Sequence, residues 1–572
     1  APGPGYARLR IVDNLIESSN SAGPLSSVFN SFGIQLGQLT SPGSNTDSFT
    51  IVRNVIQPRN DFSSKFGRGI RIVGGFGRIG GTDIADSNRV FGDYGLQIGS
   101  IGGGRLQVLN NHCFGRSAAV EVNFLAGNRT HLIQGNKLET WRPGLSLSHL
   151  EIKNNTAAEA GNPSVINVFS NEFTGFTRFG VLSTRSRNVF LHDNIFTPND
   201  TSSFYAHVVV NTKQQTAAND APTTSGISIL RNQFNGNSKA NADGNAVVIQ
   251  NHNSNNNPAF ENVIIGAAGS ENRFAASIKN FVFLDTASGP SNTLPIWDNP
   301  LYAISTMRPV NENFNLRNNL YDVGTGLKLP TAMNNDELLR LEDKLAHKVD
   351  FAELGFCTVV SEKVFITPNS FITNKTASAS LQRAFDAAEQ GWEIVAEAGT
   401  YPNPANFNTS VDLNVFPSSG TATIPELELD TPALTVNLTG GNLLIENVMT
   451  LNQGIINLNS ANVSSFPGVI INGGSANSFF HTNGSGAFSY ANVTAQPVVF
   501  PVGLLTGLTS NSVYAPVTVT NSGTIDTYSL RIRSNVLTNP FGGTPVDSVV
   551  GITYFLNENT PGGGNLGCTF VY

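Results

Sequence analysis

The sequence predicts an all-β chain: a right-handed parallel β-helix (solenoid), followed by a capping helix, a second short β-helix and a C-terminal β-sandwich. The first observation behind this is a repeated phrase. Asn188-Val-Phe-Leu-His-Asp-Asn-Ile-Phe-Thr197 reads as a buried strand at Val189 to Leu191, a polar corner at His192-Asp193, a turn at Asn194 and a return to the interior at Ile195-Phe196. It recurs as Ile11-Val-Asp-Asn-Leu-Ile16, Thr50-Ile-Val-Arg-Asn-Val-Ile56, Leu106-Gln-Val-Leu-Asn-Asn-His-Cys-Phe114, Val168-Phe-Ser-Asn-Glu-Phe173, Ile227-Ser-Ile-Leu-Arg-Asn-Gln-Phe234 and Glu271-Asn-Arg-Phe274. The second observation is an interleaved phrase, an aromatic or Gly before an alternating strand, at Phe32-Gly-Ile-Gln-Leu36, Arg68-Gly-Ile-Arg-Ile72, Tyr94-Gly-Leu-Gln-Ile98 and Phe179-Gly-Val-Leu182. The third is spacing. From Asn171 through Asn194 and Asn232 to Asn272 the corner asparagine returns after 23, 38 and 40 residues, as a fixed rung with loops of variable length would. One coil cannot bury its own apolar face, so each must cover its neighbours. Asn at a repeated corner is expected to stack amide on amide in a hydrogen-bonded ladder.

Composition agrees with that reading. At 572 residues the chain exceeds one ordinary core, but a solenoid grows in one dimension. Only 13% of residues are charged, about half the globular norm, while 56 Gly and abundant Asn, Ser and Thr supply uncharged turns and surface. Phe (37) far outnumbers Tyr (11) and Trp (3), so most aromatic residues should be interior rungs. Each fully buried Phe contributes about 1.5–3 kcal/mol. A net charge of -7 and a pI of 5.7 argue against a nucleic-acid partner. No apolar run reaches the roughly 20 residues of a membrane span, and Ala1-Pro-Gly-Pro-Gly-Tyr6 is not a signal peptide. Cys113, Cys357 and Cys568 are odd in number and far apart, so no disulfide framework is expected, and Cys113 reads as a small core residue.

Taken in order, residues 1–325 form the first β-helix. A complete rung, Arg8-Leu-Arg-Ile-Val-Asp-Asn14, opens it with no capping segment before it, and loops at Gln214 to Ser225 and Asn235 to Asn245 should project from one edge. Residues 326–375 are a connector. Within it Asn334 to Lys348 carries Leu338, Leu341 and Leu345 at helical spacing, widened by Leu339 and preceded by a capping Asn or Asp; this helix is expected to cover the end of the first stack. Residues 376–480 form the second, shorter β-helix. Ser378 or Ser380 caps a helix with Leu381, Ala384, Phe385 and Ala388 on one face, Gly391 stops it, and a strand runs on to Ala398-Gly-Thr-Tyr401. Short strands follow at Ala433–Leu438, Asn442–Val448 and Gly454–Asn459. Residues 481–572 alternate longer strands with Gly and Asn turns, at Ala495 to Val502, Val513 to Thr520, Tyr528 to Ser534 and Val549 to Phe555, the pattern of a β-sandwich.

Two resemblances follow from these residues. The phrase Leu381-Gln-Arg-Ala-Phe-Asp-Ala-Ala-Glu-Gln-Gly391, continued by Trp392-Glu-Ile-Val-Ala-Glu-Ala-Gly-Thr-Tyr401, resembles the opening of right-handed parallel β-helix proteins of the pectate-lyase-like superfamily, in which the helix caps the N-terminal end. That superfamily includes lyases, hydrolases, adhesins and passive stalks, so the likeness implies a fold and no single activity. Phe500-Pro-Val-Gly503, followed by Tyr514-Ala-Pro-Val-Thr-Val519, is similar to a module of very long secreted surface proteins of the Bacteroidota. Their usual sorting domain is not matched by the ending Gly567-Cys-Thr-Phe-Val-Tyr572.

No catalytic, cofactor-binding or metal-ligating residue is assigned from the sequence, and no cofactor. A β-helix lyase or glycosidase needs several carboxylates on neighbouring coils with a base or cation beside them. Asp13, Glu121, Glu151, Glu172 and Asp193 read instead as single outward residues. His192-Asp193 is the best local candidate and also a rung's corner; Lys153 lacks companion His and paired-Asp motifs; Gly102-Gly-Gly104 reads as a turn. Trp141, Trp297 and Trp392 give few aromatic platforms for polysaccharide.

The function expected is therefore that of a non-enzymatic stalk, filament component or adhesin within a large bacterial cell-surface or secreted protein. The alternatives are a polysaccharide lyase or glycoside hydrolase, or a polysaccharide-binding module. Expected partners are other copies or neighbouring surface proteins joined end to end, or polysaccharide, with no nucleic acid and no membrane insertion. The chain is expected to continue before Ala1 and after Tyr572.

Overall fold

The computed structural model describes residues 8–18, 32–37, 48–58, 67–74, 76–99, 104–123, 129–140, 148–153, 164–184, 186–200, 205–211, 224–237, 244–251, 260–285, 308–373, 375–482, 484–506, 511–534 and 551–571. Two compact units divide the chain, one of residues 1–333 with 353–359, the other of residues 334–352 with 360–572.

The first unit is a parallel β-helix. Strands beginning with Arg8–Val12, Ser48–Val52 and Phe76–Gly80 stack in register along one face, and every pairing along that face is parallel. A short second face starts just after each corner, and a third carries strands such as Phe32–Leu36, Arg68–Val73 and Val165's downstream neighbour Phe179–Thr184. The corner is built as the repeated phrase implies, with one correction. The left-handed turn residue is the one before the asparagine: Asp13, Arg53, Asn110, Ser170, Asp193 and Arg231 all have φ between 51° and 59°. The asparagine itself has turned inward to join the ladder.

That ladder is continuous over Asn14, Asn54, Asn88, Asn111, Asn136, Asn171, Asn194, Asn232, Asn272 and Asn319. Each Nδ2 donates to the next asparagine's Oδ1 at 2.8–3.2 Å. The same oxygen accepts the backbone N–H of the asparagine before it, and from Asn54 onward each Nδ2 also donates to a carbonyl of the preceding coil, as Asn194 does to Val168. Consecutive members lie between 23 and 47 residues apart, which identifies about 23 residues as the bare coil. Two positions further on, every side chain from Ile56 through Val90, Cys113, Leu138, Phe173, Phe196, Phe234 and Phe274 to Tyr321 is fully buried. Cys113 is thus a core residue, its thiol pushed up by burial. The last five of these rings stack at centroid distances of 4.5–5.2 Å.

The interleaved phrase has its own cause. A Cβ on Gly69 would lie 2.4 Å from Val90 Cγ1, and one on Gly180 would lie 2.7 Å from Phe196 Cδ1. Both glycines face the interior column at closest approach, where a side chain has no room. The loop predicted at Gln214 to Ser225 lies largely outside the described residues, as does much of that at Asn235 to Asn245.

The second unit begins with helix Asn335–Glu342. Its N-cap Asn334 and N3 residue Glu337 form a reciprocal capping box. The helix is shorter than the leucine spacing predicts. It ends at Asp343, whose carboxylate accepts a hydrogen bond from Thr367 Oγ1, and Leu345 lies in a short strand, Leu345–Ala346. Within this unit the helix packs against strand Lys363–Ile366. Leu338 and Leu341 are buried, so Leu338→Ala and Leu341→Ala are each expected to lower stability by about 2–4 kcal/mol in urea denaturation. Losses below about 0.5 kcal/mol would mean that this face is not packed.

Helix Leu381–Ala387 starts at Ser380, whose side chain makes no capping hydrogen bond, and buries Leu381, Ala384 and Phe385, the last stacked on Phe407 at 4.3 Å. Parallel strands Lys363–Ile366, Glu393–Glu397 and Asp412–Phe416 follow one another in register. The short strands read from the sequence are segments of two long ones, Thr421–Gly440 and Asn442–Asn457, which pair in parallel and turn corners through shifts of register at Ile424/Glu426 and Leu429 to Thr435. Phe488–Val493 and Val502–Thr506 each still pair in parallel with an earlier strand, and the remaining pairings are antiparallel, with Phe488–Val493, Asp526–Arg533 and Thr553–Glu558 in one sheet and Val498–Phe500, Val517–Asn521 and Leu566–Phe570 in a second. Phe500 of the second sheet packs on Phe488 and Tyr490 of the first, giving the sandwich core.

Candidate functional sites

Charged side chains of the first unit gather at the corners, in sets that neutralise themselves. Arg231 donates to both carboxylate oxygens of Asp193, at 2.7 and 2.8 Å, and His192 Nδ1 meets Asp193 Oδ2 at 2.6 Å. The Arg231 guanidinium, with His192 beside it, holds the Asp193 carboxyl below the usual carboxylate range. His192 also stacks on Phe169 of the preceding coil at 4.9 Å. The best candidate from the sequence is therefore a tied, half-exposed corner. The same device recurs where Arg53 bridges Asp13 and Asp86, and Glu139 meets His112 at 2.8 Å and Lys137 at 2.5 Å on the second face. The buried rings of His131 and His207 are core residues, each pushed down to about 4 by burial.

On the third face a different row appears. Gln35, Arg71, Gln97, Glu121 and Glu151 are register partners on successive coils, about 4.8 Å apart. Glu121 and Glu151, read singly in the sequence, are thus neighbours, with Lys153 two residues beyond Glu151. Gln97 bridges two charges: its Oε1 accepts from Arg68 and its Nε2 donates to Glu121 Oε1 at 3.3 Å. Arg68 lies between the rings of Phe32 and Tyr94, one coil to either side, and Arg71 also lies over Phe32, at 5.3 Å from its centroid. Burial and the neighbouring Arg68 charge pull the Arg71 guanidinium below its ordinary value, with Glu121 acting in the opposite direction.

The second unit holds a cluster that no sequence motif announced. Glu342, His347 and Asp350 are all buried, and one ligand-type atom from each lies within 4.8 Å of the others. His347 Nε2 is 3.0 and 3.2 Å from the two Glu342 oxygens, and Asp350 Oδ2 accepts the His347 backbone N–H at 3.0 Å. Arg383 donates to the carbonyls of Val349, Ser370 and Ser378 and adds a positive charge near Asp350. Burial works against the His347 imidazolium, but the Glu342 carboxylate outweighs it and the ring's value is raised. Burial likewise raises Asp350, to about 7. The Glu342 carboxylate faces the His347 imidazolium, and Asp350, which accepts the His347 N–H, is held toward its protonated form, so the cluster is a buried polar network that pins the start of this unit.

No family model matches the chain, and no curated protein matches it. Among solved structures it is similar to one described as the structure of PL6 family alginate lyase AlyGC, with 9% identity over 85% of this chain and 78% of that one and a TM-score of 0.17. A likeness that slight carries no argument about activity.

The notation of residues in order hides all three arrangements to different degrees. His192-Asp193 was visible because its members are adjacent. The Arg71 to Glu151 row spans three intervals of unequal length and needs the register. The Glu342, His347 and Asp350 spacing is compact, but three polar residues at and beyond a helix end carry no signal until burial is known.

Proposed function

We propose that the chain is a non-enzymatic, adhesive or load-bearing segment of a large secreted or cell-surface protein of the Bacteroidota kind, located outside the cell. The observation that supports this most is the pairing of its charges. Among the described residues of the first unit, the corner acids Asp13, Asp86 and Asp193 are tied to Arg53 or Arg231, and the coils are joined by a continuous amide ladder that is buried from Asn54 onward. Such an arrangement resists extension and leaves no poised acid and base at the corners. The register pair Glu121 and Glu151, followed by Lys153, is what favours the alternative of a polysaccharide lyase or hydrolase.

The two readings separate in one assay. The full chain is incubated with polyuronates, sulfated glycans and neutral glycans, and new unsaturated or reducing ends are measured. The expected result is no turnover on any of them. Turnover abolished by Glu121→Gln would overturn the proposal in favour of the enzyme.

A further inference from the structure

We propose that Glu342, His347 and Asp350, at the start of the second unit, form a binding site for one divalent transition-metal ion, zinc being the ion that fits best; the inference is independent of the adhesive reading. Three observations carry it. The first is the placement of the donor atoms. His347 Nε2 lies 3.0 and 3.2 Å from the two Glu342 oxygens, and one ligand-type atom from each of the three residues lies within 4.8 Å of the others. Zinc bonds of about 2.0–2.2 Å at tetrahedral angles place neighbouring donors about 3.3–3.6 Å apart, so Glu342 and His347 need part by only a few tenths of an ångström and Asp350 need approach by about 1 Å. Glu342 faces the ring with both oxygens at nearly equal distance and so supplies two donors. The three side chains then complete a four-fold set. An imidazole among the donors favours an ion of the zinc class over calcium or magnesium, which take oxygen ligands.

The second observation is how the chain holds these donors. All three lie within residues 342–350, so bringing them together costs little loop entropy. Glu342 is the last residue of helix Asn335–Glu342, whose far end is fixed by its capping box. His347 and Asp350 are the two ends of one turn: the Asp350 N–H donates to the His347 carbonyl at 2.9 Å, and Asp350 Oδ2 accepts the His347 N–H at 3.0 Å. Arg383 donates to the carbonyl of Val349 inside the same turn. Donors held this way give up little freedom on binding. The third observation is burial. Glu342, His347 and Asp350 are 2%, 1% and 5% exposed, beside the buried Leu341, Leu345 and Val349. Buried carboxylates are costly to desolvate, and a divalent ion between two of them and a neutral imidazole brings the charge of the three ligands and the ion to zero. In the metal-free chain the contact between Glu342 and His347 stands in its place.

The test titrates zinc into the full chain after dialysis against EDTA, by calorimetry and by competition with a chromophoric chelator. It is repeated with calcium, and with cobalt, whose tetrahedral complexes absorb in the visible. The expected result is one zinc per chain, a higher melting temperature with zinc, a cobalt band and no response to calcium. Asp350→Asn keeps the side-chain volume and the oxygen that accepts the His347 N–H, and should weaken zinc binding about a hundredfold. His347→Ala should abolish both zinc binding and the cobalt band. His192→Ala, at the exposed corner of the first unit where His192 meets Asp193, should bind like the parent. A far-ultraviolet circular dichroism spectrum like the parent's shows that a variant is folded, and Asp350→Asn provides the readout if His347→Ala is not. A parent chain that takes up no zinc, or that binds cobalt without the tetrahedral band, overturns the proposal. So does zinc binding that His347→Ala and Asp350→Asn leave unchanged, or that His192→Ala removes. Calcium bound at the site in preference to zinc would sink the assignment to a transition metal.

Discussion

Asn194→Ala is expected to lower the stability of the first unit by about 3–5 kcal/mol, more than any surface change. Asn194 Oδ1 accepts both the backbone N–H and the Nδ2 of Asn171, and its own Nδ2 donates to Asn232 Oδ1, Val168 O and His192 O. Alanine has the volume to fit but no polar atom, so the Asn171 N–H and the Val168 carbonyl lose partners where water does not reach. Each orphaned buried group costs about 1–3 kcal/mol. The ladder's first member provides the contrast. Asn14 is exposed and no asparagine precedes it in the ladder, so Asn14→Ala should cost about 1 kcal/mol or less. Urea denaturation followed by far-ultraviolet circular dichroism would measure both. Equal losses at the two positions would show that the ladder is decoration and the aromatic column alone holds the coils.

The second large effect is expected in the other unit. His347→Ala removes the imidazolium that neutralises Glu342 and leaves buried carboxylates facing each other, a change of about 3–5 kcal/mol. The pH dependence has a definite sign. His347 has a folded value raised above its ordinary 6.5, so its contribution is fully present below 6.5 and is lost as pH rises through the folded value. Asp350 is raised from 3.8 to about 7, so the folded unit favours its protonated form, and that advantage is full below 3.8 and gone above about 7. Rising pH therefore weakens the second unit through Asp350 between 3.8 and about 7, and through His347 above 6.5. Hydrogen exchange of the amides in strand Lys363–Ile366, on which helix Asn335–Glu342 packs, should quicken beyond its intrinsic pH dependence as pH rises from about 4 through 7, the window that Asp350 sets, and further above 6.5 as His347 loses its proton. Asp350→Asn should flatten the part of the profile below about pH 7. Protection that is level across this range, or unchanged by His347→Ala, would show that the network does not hold this part of the fold.

These two sites were unequally legible. The corner asparagines at 171, 194, 232 and 272 stood out in the sequence because a period interrupted by loops is still a period, and the amide ladder followed from stacking identical side chains. Asn88, Asn136 and Asn319 were missed, since their flanking phrases, Ser-Asn-Arg, Gly-Asn-Lys and Asn-Asn-Leu, depart from the repeat. The sequence places the turn at the asparagine, one position beyond the left-handed residue, because Asn tolerates positive φ and the true occupants include Arg and Ser, which seldom adopt it. Leu345 continues the apolar stripe of the first helix and so predicts a longer one, although the chain has already turned to bring His347 back to Glu342.

By itself the sequence determined the class of fold, the repeating coil, the inward column of large apolar residues and the change to antiparallel pairing near the end, all of which depend on patterns local to a few residues. Only the tertiary structure decided which polar residues meet. Loops that bring successive ladder asparagines between 23 and 47 residues apart erase any fixed spacing between register partners, so the row from Arg71 to Glu151, in which Glu121 proves to be buried where the sequence reads it as outward, exists only once the coils are in register. Burial, too, is a property of the packed chain: it is what turns Glu342, His347 and Asp350 from three polar residues at and beyond a helix end into one coupled network.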